Sequence, residues 1–292
     1  MNIILKRKIS LCYFINLIII IYSNIYIMIK IINKRNGGCL FHYAHFLCDC
    51  LFPEIINNIY NFKTIVREKN IDQTLGNFNK IYEEVMLNKS IELIKPQFDI
   101  LYIKTIKYNP KEYYCNKKYF DIFRQFIFKR YKINPLVYNE KYLPIILIKR
   151  HNRINLIDDN YLKDLNKNVT TGKERREIDK IDSLEEYLKN KYNGKIKSVY
   201  LELMSFEEQI NIFNNAKIII CAHGAAMSNM FFCKEKTTII EVTCNMNWDF
   251  FNIMSTQLNL KHVKCYDNNL NSVIECIEEN MINELNNNHD NQ

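Results

Sequence analysis

Residues 217–232 read KIIICAHGAAMSNMFF. The run from Lys217 to Ala222 is short, apolar and rich in β-branched residues, which predicts a strand buried on both faces. His223-Gly224-Ala225-Ala226 follow at its end, and then an apolar segment able to begin a helix. A strand, a turn of small residues and a helix start together make a seat for an anion, because backbone N–H groups and the positive end of the helix dipole point outward there. In a parallel sheet His223 stands at the carboxyl edge, where open α/β folds take their ligands. Taken alone, the stretch also fits an ordinary strand-to-helix turn with a surface histidine.

The pattern continues on both sides. Ile145-Ile146-Leu147-Ile148 predicts a strand, running into the basic segment Lys149 to Asn155. Helices are expected at 183–192, 205–215, near 225–232, at 247–258 and at 271–285, alternating with strands at 196–203, 217–222, 237–243 and 261–266. Ser205 with Glu208 is a capping box that fixes the start of one helix. Repeated βα units with short connections predict an α/β fold, a parallel sheet covered by helices. Residues 167–180 are polar and expected as an exposed loop. Pro135 and Pro144 punctuate a linker, and the chain divides into a leader at 1–35, an N-terminal domain at 36–135, a C-terminal domain at 136–285 and a disordered asparagine-rich tail at 286–292.

The leader pairs Lys6-Arg7-Lys8 with an apolar run over residues 9–29, long enough to span a bilayer as a signal anchor. That reading places the protein on a membrane, in the secretory pathway as a single-pass protein. If residues 9–29 do not span, the location is cytoplasmic, and residues 25–32 are then the first strand of the domain. In residues 36–60 the spacing of Phe46, Leu47, Leu51, Ile55 and Ile59 is helical from about His45. His45 and Asp49 stand four residues apart and share a face, with His42 one turn earlier. Residues 61–95 pattern as helix, 99–103 as a strand and 116–132 as an amphipathic basic helix.

Composition removes several classes. A hydrophobic fraction of 48% and a charged fraction of 25% are those of a folded globular protein. Net charge is +8, from 40 basic and 32 acidic residues, spread without the dense run of a nucleic-acid arm. Such a charge suits a phosphate-bearing ligand and no nucleic acid. With only six glycines, at positions 37, 38, 76, 172, 194 and 224, no G-x-G-x-x-G, Walker loop or G-x-S-x-G elbow can be written. Ten cysteines contain no C-x-x-C pair and read mainly as small buried hydrophobes.

Three constellations fall on strand ends or helix faces: His45 with Asp49, Arg150 with Arg153, and His223-Gly224 with Glu241. Two arginines three residues apart past a strand can fork around a pyrophosphate, although a solvated basic turn has the same spelling. Glu241 closes the apolar run from Thr237 and could accept from a ribose, or could cap a helix. His42, His45 and Asp49 with the nearby cysteines give no closed set of four ligands, so no metal and no bound cofactor are expected.

The order of H-F-L-C-D before Pro53, then Arg150, Arg153 and Asn155, then SFEEQINIFNNAKIIICAHGAAMSNMFF and IIEV, resembles glycosyltransferase family 61 over residues 36–245. The matching positions are His45, Phe46, Leu47 and Asp49; Arg150, Arg153 and Asn155; and Ser205, Phe206, Gln209, Ala216, His223, Gly224, Ala225, Asn229 and Glu241. The resemblance implies a GT-B architecture of two Rossmann-like halves facing a cleft, with a nucleotide sugar between them, inversion at the sugar carbon and no required metal. The chain has no D-x-D triplet, which agrees. It implies donor-binding roles for Arg150, Arg153, Asn155, His223, Gly224, Ala225, Asn229 and Glu241, and a general base at Asp49, with His45 as the alternative. The expected partners are a nucleotide sugar and a glycan or glycoprotein acceptor. Ala226 replaces the family's usual glycine, the arginine segment is compressed and the chain has no long stem. The other classes the sequence leaves open are a non-catalytic protein that keeps the nucleotide-sugar fold, and a membrane-anchored structural protein.

Overall fold

A computed structural model describes residues 29–30, 43–52, 55–56, 65–66, 78–86, 117–139, 141–151, 176–244 and 249–286. A short parallel pair, β1 (Ile29–Lys30) and β2 (Ile65–Val66), forms a sheet of its own. The main sheet has five parallel strands: β3 (Ile145–Lys149), β4 (Ile196–Tyr200), β5 (Ile218–Ala222), β6 (Thr238–Val242) and β7 (Lys261–Cys265), in the order β4-β3-β5-β6-β7. This is a doubly wound order, in which the chain leaves β3 toward β4 and later returns on its other side as β5. The five strands and their helices form a Rossmann-like α/β fold. Among the described residues, no helix is long and apolar enough to cross a membrane. Of the expected anchor at 9–29 only Ile29 is described, and it lies in β1. The expected strand at 99–103 lies outside the described residues.

The helices follow from the apolar spacing of their sequences. They are α1 (Tyr43–His45), α2 (Asn79–Met86), α3 (Lys117–Arg130), α4 (Ile181–Lys191), α5 (Phe206–Asn215), α6 (Phe250–Gln257) and α7 (Leu270–Asn286). On α5 the capping box closes as read: the Ser205 amide donates to Glu208 Oε2 at 2.8 Å, and the Glu208 amide to Ser205 Oγ at 3.2 Å. Two segments wind differently from expectation. Phe46–Leu51 continues α1 as a π-helix, and Ala225–Phe232 is a 3₁₀ helix. Almost every side chain of the latter is buried, so packing rather than α propensity sets its pitch.

Alternation along the strands sorts the core into two layers. Ile145, Leu147, Ile218, Ile220, Ile240 and Val242 face one way, covered by α4 (Leu184, Leu188) and α7 (Val273, Ile277, Met281). Ile146, Ile148, Ile219, Cys221 and Ile239 face the other way, under α5, α6 and the 3₁₀ helix. That second layer also takes in Phe46, Leu47, Leu51, Phe52, Ile55 and Ile56, with Tyr82 and Val85 of α2 and Phe120, Phe123 and Ile127 of α3. Residues on both sides of position 135 thus share this layer. Phe231 ties the parts together, with ring centroids 4.8 Å from Phe123, 5.1 Å from Phe120 and 5.2 Å from Phe52. Truncating a buried ring of this kind to alanine costs about 3–5 kcal/mol.

At the carboxyl end of β3, Lys149 is almost buried, and its ammonium pairs with Asp182 and with Glu185 at 2.9 Å on α4. Burial acts to lower the Lys149 pKa, and the two carboxylates more than reverse that. The same contacts, with Lys189, hold Glu185 at about 2 against the opposing effect of its own burial. Lys149 is thus spoken for by the fold, and the basic chemistry of the edge falls to the residue after it. At the end of β7, Cys265 is joined to Cys276 of α7 by a disulfide.

Candidate active site

The crevice of a doubly wound sheet opens between the strands from which the chain departs in opposite directions, here β3 and β5. Arg150 follows β3 and His223-Gly224 follows β5, so the topology alone brings together two segments 73 residues apart. Arg150 Nη2 donates to the His223 carbonyl at 2.9 Å. Arg176 Nη1 reaches the same oxygen at 3.4 Å. Two guanidinium groups converge on one turn, and a guanidinium presents its donors in the planar fork that suits phosphate.

Gly224 is required by this approach. A Cβ built on it would lie 1.9 Å from Arg150 Nη2 and 3.2 Å from Cζ. Its backbone is extended, so any side chain is tolerated conformationally but none fits under the guanidinium. Beyond it Ala225 starts the 3₁₀ helix, whose first turn closes from the Met227 amide to the Gly224 carbonyl at 3.0 Å. Two thiols lie close by. Burial pushes the Cys244 thiol up, with the neighbouring Arg150 and Arg176 pulling the other way. Cys221, fully buried in β5, is raised chiefly by burial and then by the Glu241 charge.

Beneath the turn lies a buried carboxylate. Cys221 of β5, Glu241 of β6 and Lys264 of β7 are direct cross-strand partners and share a face. His223 is two residues beyond Cys221 and His262 two residues before Lys264, so both stand diagonal to Glu241 on that face. Glu241 is completely buried; one carboxylate oxygen bonds His223 Nδ1 and the other bonds His262 Nε2 at 2.7 Å. Burial acts to raise this carboxyl, but the two imidazoles outweigh it and hold it at about 2. The His223 ring is closed off by Phe251 of α6, edge to face at 5.4 Å. Lys264 Nζ donates to Asp249 Oδ1 at 3.0 Å. Glu241, expected to hold a ribose, thus has its oxygens on two histidines inside the fold.

Asn229 also lies within the core. Tyr43 of α1 donates to Asn229 Oδ1 at 2.5 Å, Asn229 Nδ2 to Gln209 Oε1 at 3.0 Å, and Gln209 Nε2 to the Leu201 carbonyl at 3.0 Å. The relay crosses from α1 through the 3₁₀ helix to α5, with the Tyr43 phenol held protonated chiefly by its burial. It docks the segment bearing His45 against the helix that begins at the His223-Gly224 turn. His45 is half-buried one residue before the π-helix. Asp49 lies on the backbone of that π-helix, and its side chain is outside the described part. Arg153 and Asn155 are outside the described residues.

Of the expected site residues, Arg150, His223, Gly224 and Ala225 come together at the turn, Glu241 and Asn229 support it from within, and His45 lies on the segment packed beside it. Sequence reading missed Arg176 and His262. Arg176 sits in a run of charge that reads as a loop. His262 carried a signal, because alternation in KHVKC puts His262 and Lys264 on one face of an otherwise buried sheet, where a carboxylate partner is expected.

At the ligand edge of this doubly wound α/β fold, Arg150 and Arg176 thus converge on the carbonyl of a small-residue turn. The sequence profile of the family described as Glycosyltransferase 61 matches residues 43–240, more than half of the chain, and the protein belongs to that family. It is a glycosyltransferase, taking a sugar donor and a glycan acceptor. The matched span includes His45, Asp49, Arg150, Arg153, Asn155, His223, Gly224, Ala225 and Asn229, and ends one residue before Glu241. No match to the chain is found among curated proteins.

Proposed function

We propose that the protein is an inverting, metal-independent glycosyltransferase that moves a hexosyl or pentosyl unit from a UDP-linked sugar to a hydroxyl of a glycan or glycoprotein. In this reading the acceptor oxygen attacks the anomeric carbon in line with the departing diphosphate. One C–O bond forms as the bond to the diphosphate oxygen breaks, and the acceptor proton passes to Asp49, with His45 as the alternative base. The leaving diphosphate carries away the bonding pair. Its charge is met by the N–H groups following Gly224 and by Arg150 and Arg153, with Asn155 completing the donor side. The overall form is GT-B, the N-terminal residues supplying the second, acceptor-binding half.

The observation that carries this reading is the contact of the Arg150 guanidinium with the His223-Gly224 turn at the switch point of the sheet, where the absence of a Cβ admits it. The lack of a D-x-D triplet supports charge neutralisation by arginines and backbone rather than by a metal. The Cys265–Cys276 disulfide supports a secretory-pathway location. The test is release of nucleotide from a panel of UDP-, GDP- and CMP-linked sugars. UDP release that depends on an acceptor and is abolished in Asp49→Asn supports the proposal. Binding of UDP without release from any donor reassigns the protein as a non-catalytic nucleotide-sugar binder.

A further inference from the structure

The buried carboxylate serves two imidazoles, and the second, His262, lies past the end of the family match. It comes from β7, two strands away from β5 in the sheet. Its side chain is 3% exposed, Glu241 is 0% exposed, and His262 Nδ1 is buried with no hydrogen-bond partner among the described residues. A histidine placed there for packing alone would bury this polar nitrogen uselessly, at a cost an apolar residue avoids. What the position supplies is a donor to the Glu241 oxygen that His223 does not use.

We infer that His262 is a positioning residue for the transfer reaction: by clamping Glu241 it fixes the ring orientation and tautomer of His223 at the donor turn. The inference rests on the proposal that this turn receives the leaving diphosphate. An ionised carboxylate only accepts hydrogen bonds, so a ring nitrogen in contact with it carries a proton. His223 therefore presents Nδ1–H to Glu241. A carboxylate held at one oxygen can swing about its Cγ–Cδ bond. Held at both, it is a fixed fork, and the imidazole it anchors is fixed with it. Histidines oriented by an outer carboxylate behave this way in catalytic triads and metal sites. The other charged or titratable groups around the cluster are Arg150 and Arg176 on the His223 carbonyl, Cys221 on β5, Cys244 after β6, and Lys264 with Asp249.

The experiment compares wild type with His262→Gln and His262→Leu in the whole chain. Glutamine keeps an N–H at about the reach of Nε2, whereas leucine keeps bulk and loses the donor. Side-chain 15N spectra of histidine-labelled protein read the tautomer of His223 directly and need no substrate. The expected result is a single Nδ1–H tautomer in wild type and in His262→Gln, and a mixture in His262→Leu. With donor and acceptor present, kcat falls roughly 10–100-fold in His262→Leu with a smaller change in the donor KM, and glutamine restores most of it. A His223 that stays in one tautomer in His262→Leu overturns the inference, as does a glutamine variant as impaired as leucine. If His262→Leu does not fold, His262→Asn, too short to reach Glu241, takes its place with the same expectations. A wild type that transfers from no donor overturns the proposed chemistry while the tautomer measurement still decides the clamp.

Discussion

Gly224→Ala is the sharpest perturbation the structure offers. The added methyl lands 1.9 Å from Arg150 Nη2, and ordinary contact needs about 3.4 Å, so the guanidinium must retreat by about 1.5 Å. The backbone at position 224 is extended and accepts alanine without strain. The clash is with the far end of a flexible side chain, so the fold yields there and nowhere else. Losing the bond from Arg150 to the His223 carbonyl costs about 1.5–3 kcal/mol of stability, the usual range for a charged donor. Function suffers more, since displacing a charge-stabilising group by an ångström can cost on the order of 100-fold in rate. The assay is a double-mutant cycle with Arg150→Ala, reading urea denaturation and nucleotide release. Gly224→Ala and Arg150→Ala should each reduce kcat/KM by on the order of 100-fold, and the double variant should lose no more than Arg150→Ala alone. Additive losses, or a Gly224→Ala enzyme with wild-type kinetics, refute the argument that this glycine exists to admit the guanidinium.

Three further outcomes concern the supports of the site. Tyr43→Phe leaves Asn229 Oδ1 buried without its donor and should lower stability by about 1–3 kcal/mol in urea denaturation, with limited proteolysis showing release of the segment around His45. Reduction of Cys265–Cys276, or Cys276→Ala, opens a loop of 11-residue separation and should cost roughly 3 kcal/mol, seen as a Tm lower by several degrees with reductant than without. Glu241 is held at about 2 in the fold against an ordinary 4.5, so its contribution is complete above about pH 4.5 and is lost as the pH falls toward 2. Stability measured across that window should therefore drop steeply in wild type and far less in Glu241→Gln, whose curve starts lower and runs flatter.

The residues themselves explain which parts of the molecule were legible. The strands β3 to β7 and their helices follow apolar runs and the Ser205 cap, signals contained within a dozen residues, and they lie where the patterns place them. His223-Gly224 and Arg150 stand out because each follows an apolar run, and the sheet order brings those two strand ends together. Glu241 reads as a strand-end carboxylate, and the structure sets it between His223 and His262. Its role depends on the β5-β6-β7 register, which puts a histidine diagonal to it on each side, and no local pattern states a register. Asn229 enters only through the family resemblance; the structure pairs it with Tyr43, 186 positions away, and with Gln209. The π-helix at Phe46–Leu51 and the 3₁₀ helix at Ala225–Phe232 were read as α-helical, since periodicity cannot separate pitches this close over six or eight residues. Nor did the sequence disclose that the aromatic residues of 46–56 and 117–131 share one core with the sheet, because the packing of Phe52 on Phe120 and Phe231 is a tertiary fact.

The central claim is that the turn at His223, with Arg150 over Gly224, receives a nucleotide diphosphate. Calorimetric titration of UDP into wild type and Arg150→Ala tests it most directly. The account predicts saturable binding by wild type, weaker binding of UMP, and at least a tenfold loss of UDP affinity in Arg150→Ala with little change for uridine. Equal UDP affinity in the two proteins, or no binding by wild type at millimolar nucleotide, contradicts it.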